Sequence, residues 1–313
     1  MIQSRALFEK YGIHIFLGIL IVVACFISPE FTKYQNINNV LDECAALGMV
    51  SLGQTFVILS GGGGIDLSVA SIMATVAVLT SKYTMGQNAL LLPVGLMCCG
   101  FGLLVGLGNG LLITKRRVPP VMATLGTMII VQGIRFFITK GAPTGDFPRF
   151  LSFLGKGDIG PIPVSILSLA IMAAIAAIVL NKTVLGRQIY AVGGNIDAAR
   201  LAGYNTDLVK TAVYMVSGLT AAIGGLYLAG WLAILDNWVG KGYEIDSIAV
   251  VVMGGTSFEG GRGGILGTIA GVLILAILYN LVILLGLPIN IQYIIKGAVI
   301  VLAASFYVRR RAR

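Results

Sequence analysis

The residues able to do chemistry in this chain are few, and none is spaced for catalysis. The single histidine, His14, stands in an apolar run with no carboxylate, thiol or hydroxyl placed as its partner, which leaves neither a metal site nor a nucleophile–base pair. A nucleotide-phosphate loop needs G-x-x-x-x-G-K. The two Gly–Lys pairs, Gly155–Lys156 and Gly240–Lys241, have Phe150 and Leu235 where that pattern requires glycine. The stretch GKGD (155–158) has the G-x-G-D spacing of intramembrane aspartyl proteases, but it lies in a polar loop before Pro161 and no Tyr–Asp pair exists in the chain. What remains is a set of ionisable residues inside or beside apolar stretches: Asp66, Arg135, Asp246 with Glu244 close by, and Lys296. Each costs about 3 kcal/mol near the centre of a bilayer, so each implies a pairing or a function. Pairing or snorkelling is the expectation for Arg135 and Lys296.

The composition sets the solvent. Of 313 residues 57% are hydrophobic and 11% charged, against roughly 25% charged in soluble domains, and mean hydropathy is +0.93. That amount of charge does not cover a water-exposed sphere. The 42 glycines suit membrane helices that pack backbone to backbone. The run 13–27 continues to Ser28 and Pro29 without a small-x-small cleavage site, so it reads as a first span and not a signal peptide. Cys25, Cys44, Cys98 and Cys99 fall in apolar segments without C-x-x-C spacing and read as small buried hydrophobes.

The elements that must position these residues are helices. A bilayer-crossing helix needs ~20 mostly apolar residues. Ten candidate segments fit: 11–28, 41–59, 66–81, 89–113, 121–139, 161–180, 208–235, 245–257, 264–286 and 289–308. The eighth is too short to cross alone and reads as part of a broken or re-entrant pair, which other helices must cover. The expected fold class is therefore an all-α polytopic membrane protein with about ten transmembrane helices, some broken or re-entrant, both termini cytoplasmic, and one transmembrane domain over 1–313. The basic residues support that orientation. Lys115, Arg116, Arg117, Lys182, Arg187, Arg200, Lys210, Arg262 and the RRRAR tail (309–313) fall on the cytoplasmic side. Lys33, Lys82, Lys140, Arg149, Lys156 and Lys241 fall outside. The net charge of +9 is then an orientation device and not a nucleic-acid footprint.

Two loops stand out, an external one at 140–160 and a cytoplasmic one at 181–207. The second contains a short helix signal: Asn195 as N-cap, Asp197 in the first turn, Arg200 near the end and Gly203 just beyond it. A helix of about two turns is unstable alone in water, so it needs a partner surface. There is also weak internal similarity between VILSGGGGIDLSVASIMATVAVL (57–79) and VVMGGTSFEGGRGGILGTIAGVL (251–273), each an apolar run, a glycine-rich break and a small-residue helix. Glycine-interrupted segments at corresponding places point to a transport site. The topology puts Asp66 at a cytoplasmic turn, where water would accept its charge, and in the first turn of the third span as a helix-capping acid.

Four motifs in order carry a resemblance: VILSGGGGIDLSVAS (57–71), LGRQIYAVGGNIDAARLAGY (185–204), GYEIDSIAVVVMGGTSFEGGRGGILGT (242–268) and IQYIIKGAVIVLA (291–303). Together they resemble the permease subunit of bacterial importers for monosaccharides of the ATP-binding-cassette type, the ribose permease group in particular. The family shows one or two glycines before I-D-L-S, where this chain has four, and often Gly where this chain has Ala70.

The resemblance implies an inner-membrane permease without enzymatic activity of its own. A separate ATPase subunit on the cytoplasmic face holds ATP and magnesium, an extracytoplasmic binding protein delivers the sugar, and a second permease chain completes the pathway. No cofactor is expected in this chain. Gly193, Gly194, Asn195, Asp197, Ala198, Ala199, Arg200, Leu201 and Gly203 would form the element that couples to the ATPase. Gln54, Ser60, Asp66, Asn109, Asp246 and Thr256 are the candidates for the solute pathway, on the argument that sugars need hydrogen-bonding groups. A stand-alone ion-coupled or facilitated carrier is the alternative, and an intramembrane enzyme a third reading. The lack of an acid ladder through the spans speaks against the former and the lack of catalytic pairs against the latter.

Overall fold

In a chain this poor in charge, apolar stretches become helices because a helix satisfies its own main-chain groups while turning apolar side chains outward. The computed structural model describes residues 2–233, 236–288, 290–295 and 297–298. Its helices are α1 (Ile2–Ile27), α2 (Tyr34–Leu59), α3 (Val69–Thr84), α4 (Leu91–Thr114), α5 (Pro120–Thr139), α6 (Arg149–Lys156), α7 (Val164–Lys182), α8 (Val184–Gly194), α9 (Ile196–Leu201), α10 (Thr206–Leu232), α11 (Tyr243–Met253) and α12 (Ile265–Leu284). Strands β1 (Asp158–Ile159) and β2 (Ile162–Pro163) form a small antiparallel hairpin.

Among the described residues six helices are long and apolar enough to cross a bilayer: α2, α4, α5, α7, α10 and α12. The all-α membrane class expected from composition is what the chain adopts. Residues 12–27 of α1 and the whole of α3 are apolar but shorter. The 11-residue α11 rises about 16 Å at ~1.5 Å per residue, half a bilayer core, as its broken pattern predicts. The expected span 289–308 lies largely outside the described residues, as do Lys296 and the basic tail 309–313.

The bundle has a centre and a rim. The most apolar stretch of α2 is 83% buried, that of α12 72% and that of α10 61%, whereas that of α4 is 22% buried, so α2, α12 and α10 form the core and α4 presents a face to lipid. Phe137, Leu92 and Leu266 are among the large side chains left exposed on such faces. Where α4 meets α10 the backbones nearly touch. Gly102, Gly106 and Gly110 recur every four residues on α4, and a β-carbon on Gly102 or Gly106 would overlap the Gly218 or Tyr214 carbonyl oxygen. Small residues at i and i+4 are what permits that approach. Cys44 and Cys98 are buried as expected, but Cys25 is exposed on α1, because α1 is a rim helix and its outer side faces no neighbour.

Three elements were not anticipated. The loop 140–160 folds α6, whose Gly155 and Leu151 pack on the end of α10 at Gly230 and Trp231, followed by the hairpin. The cytoplasmic-loop candidate contains α8 as well as α9. Its signal was Thr183, whose Oγ1 accepts from Gly186 N at 3.2 Å as a helix N-cap, ahead of apolar Val184, Leu185, Ile189 and Val192.

Candidate functional site

One end of the bundle collects the basic loop 115–119, the α8–α9 element and the glycine-rich breaks that come after α2 and α11. Lys115 and Arg117 both reach Asp207 at the start of α10, at 3.4 and 3.7 Å. On this end α9 is capped as its sequence dictates. Asn195 Oδ1 accepts from Asp197 N at 3.0 Å and Ala198 N at 2.9 Å. At the other end Gly203 takes a left-handed φ of 84°, its N–H bonds Arg200 O at 3.0 Å, and Tyr204 N bonds Ala199 O at 3.1 Å, the paired closure of a Schellman motif. Asp197 sits in the first turn and Arg200 in the last. Only Ala199 is buried. Leu201 is 90% exposed, so a six-residue helix presents an apolar side chain away from its own bundle.

The first break explains the glycine run. Gly61, Gly62 and Gly63 all take left-handed φ angles, 69°, 67° and 70°. An L side chain costs about 1–2 kcal/mol at each such position, so three in succession select glycine. The chain then climbs back between helices. Ile65 O accepts from Thr124 Oγ1 on α5 at 3.3 Å, and α3 begins only at Val69.

Asp66 therefore does not lie at a water-facing turn. It is fully buried. Its neighbours Gln54, Asn109 and Ser217 stand five, five and eleven residues inside the ends of α2, α4 and α10, about 8 to 16 Å deep at ~1.5 Å per residue. Nor does it cap α3 from the first turn. It precedes the helix, and its Oδ1 accepts from Ser68 N at 3.0 Å and Ser68 Oγ at 2.6 Å, an Asx turn that bends the chain into α3. Ser68 Oγ in turn accepts from Asn109 Nδ2 at 2.9 Å. Gln54, its amide oriented to satisfy both contacts, donates to Asp66 O at 3.3 Å and accepts from Asp66 N at 3.2 Å. The burial is legible only in the fold, since these partners come from three distant helices.

The second break, 254–264, meets the first. Gly261 N donates to Leu59 O at 2.9 Å. A β-carbon on Gly260 would come within 2.5 Å of Gly61 Cα, and one on Gly61 within 2.7 Å of Glu259 O and 2.9 Å of Gly193 O. A β-carbon on Gly193 would overlap Leu59 O. The end of α8 thus seats main chain against main chain on both breaks at once. Tyr190 on α8 adds a strap, donating from its hydroxyl to Gly263 O at 2.9 Å. Partial burial raises that phenol above its ordinary range, so it stays a donor. The two similar stretches read from the sequence, 57–79 and 251–273, both become helix, glycine break, helix.

The six pathway candidates do not form one site. Gln54, Asp66 and Asn109 come together as described. Ser60 is buried at the end of α2, bonding Val57 O at 2.7 Å. Thr256 is buried in the second break, and Asp246 lies towards the other end, accepting from Tyr279 on α12 at 3.1 Å. Arg135 is buried on α5, its Nη1 donating to Ser71 O at 3.3 Å, its Nε without a hydrogen-bond partner and the Asp236 charge in its surroundings. Lys296 lies outside the described residues. The partners that sequence reasoning missed are Ser68, Tyr214 and Ser217, each an ordinary small-residue or aromatic position within an apolar run until the fold places it against Asp66.

Residues 36–304 match the family described as branched-chain amino acid transport system / permease component. The chain belongs to that permease family. Among its curated relatives are a ribose import permease of Bacillus subtilis, 38% identical over 96% of this chain and 94% of that one, and one of Haemophilus influenzae, 39% identical over 96% and 93%. A galactose/methyl galactoside import permease of Escherichia coli is 32% identical over 97% of this chain and 96% of its own. No solved structure matches the chain significantly. Family and span composition make this permease a multi-pass protein of the bacterial inner membrane, a transport component and not an enzyme.

Proposed function

We propose that this permease is the membrane subunit of an ATP-driven importer for a monosaccharide or similar small polar solute. The observation that carries the reading is end-to-end similarity to ribose and galactose import permeases. The family description names branched-chain amino acids, so the solute class is what the relatives add. In this reading the chain is one transmembrane domain over 1–313, with about ten crossings and both termini cytoplasmic. The basic end faces the cytoplasm. There α9, with Gly193, Gly194, Asn195, Asp197, Ala198, Ala199, Arg200, Leu201 and Gly203, docks on an ATPase that holds ATP and magnesium. Exposed Leu201 on a fully capped helix is what a docking element requires. The loop 140–160 meets an extracytoplasmic sugar-binding protein, and a second permease chain completes the pathway.

Gln54, Ser60, Asp66, Asn109, Asp246 and Thr256 are all buried within the chain, so for any of them to line the pathway the helices must part during alternating access. Purified permease, ATPase and binding protein in proteoliposomes provide the test. ATP-dependent accumulation of ribose or galactose is expected. Accumulation of a branched-chain amino acid instead would overturn the solute class. Uptake by the permease alone would favour a stand-alone carrier.

A further inference from the structure

We infer that Asp66 is a positioning residue for energy coupling: it fastens to the helix core the glycine turn against which the end of α8 is seated. The inference rests on α9 being the ATPase contact. Gly193 touches the first break through backbone alone, with Gly61 and Leu59 as its neighbours, and Gly261 and Gly194 are in the same backbone contact. No side chain lies between to absorb a displacement of α8. The turn itself is weakly held, since Gly62 and Gly63 are exposed and nothing lies within 4 Å of a β-carbon on Gly63. Five residues past Gly61 the chain is held firmly. Asp66 binds Ser68, Ser68 binds Asn109 of α4, and Gln54 of α2 grips both sides of the Asp66 peptide. A shift of α8 therefore arrives at Asp66 and leaves through α2, α4 and α3.

The surroundings of Asp66 offer a second arrangement. Asp66 Oδ2, Asn109 Oδ1, Ser217 Oγ and Tyr214 OH are buried and none makes a hydrogen bond of good geometry, although Ser217 already interacts with the Asp66 carboxylate and Tyr214 with the Ile65 main chain. Two are acceptors and two carry donors. Ser217 and Tyr214 stand beside Asp66 on α10, which packs against α2, α3 and α4. A small displacement of the Asp66 segment would turn the Ser217 contact with the carboxylate into a full hydrogen bond. Buried groups poorly paired in one arrangement and well paired in a neighbouring one are the ingredients of a two-state joint, and such an element is what coupling between distant sites requires.

The test uses the complete reconstituted importer and reads sugar accumulated per ATP hydrolysed. A purely structural lesion lowers both quantities together and leaves their ratio alone. For Asp66→Ala the ratio should fall roughly tenfold while ATP hydrolysis continues, the scale expected when hydrogen bonds to one buried acceptor are lost. Asp66→Asn keeps an Oδ1 acceptor for Ser68 and should restore most of the ratio. Ser68→Ala removes the bridge to Asn109 but leaves the main-chain bond, and should fall between them. An unchanged ratio in Asp66→Ala, or an equal fall in Asp66→Asn, overturns the inference. If Asp66→Ala does not assemble, Ser68→Ala decides alone, and an unchanged ratio there overturns it. The α9 reading is tested apart, since Asn195→Ala with an unchanged ratio would defeat that reading whatever Asp66 does.

Discussion

The glycine-rich breaks after α2 and after α11 look alike in sequence and differ in mechanics. The first is short, turns through three left-handed glycines, and then dives between helices to bury a carboxyl. The second is longer, leaves Glu259, Arg262 and Gly263 exposed, and reaches the core mainly through Thr256. One break is anchored inside the bundle. The other stays at its surface, strapped by Tyr190. The end of α8 rests on both, so a force applied there reaches the bundle interior through one break and the bundle surface through the other. Similar composition thus yields one buried anchor and one surface support. The difference resides in the residues just beyond each glycine run: I-D-L-S in one case, an apolar helix start in the other.

Neighbouring glycines at the end of α8 give the strongest test of this unequal pair. Gly193→Ala forces a β-carbon into Leu59 O, whereas a β-carbon on Gly194 would meet nothing within 4 Å. ATP-driven uptake in proteoliposomes should be abolished by the first and much less affected by the second. Equal uptake in both would mean the junction bears no force.

Next in size is the α4–α10 contact, which lies away from the second break. Gly218→Val overpacks a backbone crossing and should destabilise by about 1–3 kcal/mol, read as a lower Tm of the purified protein. An unchanged Tm would show that the helices part more readily than their backbone contact suggests. Removing the α9 cap with Asn195→Ala should cost that helix about 1 kcal/mol. Gly203→Val, at a left-handed φ, should cost about 1–2 kcal/mol. Both should reduce uptake strongly while leaving membrane insertion and the Tm of the bundle intact, because α9 contributes one buried side chain to the rest. The smallest effect is expected from Gly63→Ala, which adds about 1–2 kcal/mol of local strain at an exposed turn without touching a neighbour. Its uptake should remain within a few-fold of the unaltered protein, and a large loss would move the stiff point from Asp66 to the turn itself.

Legibility in the sequence tracks the range of the interactions. Helices were legible because apolar length is a local property, and the described helices begin and end within a few residues of most expected segments. The α9 caps were legible for the same reason: Asn195 and Gly203 act on main-chain groups two or three residues away. The depth of Asp66 was not. Charge counting placed its turn at a membrane surface, but α2, α4 and α10, brought together by glycine contacts distant in sequence, close over it. The seat of Gly193 on Leu59 and Gly261 is equally non-local, joining three segments that no spacing rule connects.

The uptake expectations depend on α9 handing the work of a separate ATPase to the helices through its exposed face. The most direct measurement is ATP-driven sugar uptake by the reconstituted importer carrying Leu201→Glu, together with co-purification of the ATPase. Leu201 is 90% exposed, so the change leaves the permease fold untouched. The ATPase should be lost from the purified complex and uptake should fall to background. Full uptake with the ATPase still bound would contradict that role for α9.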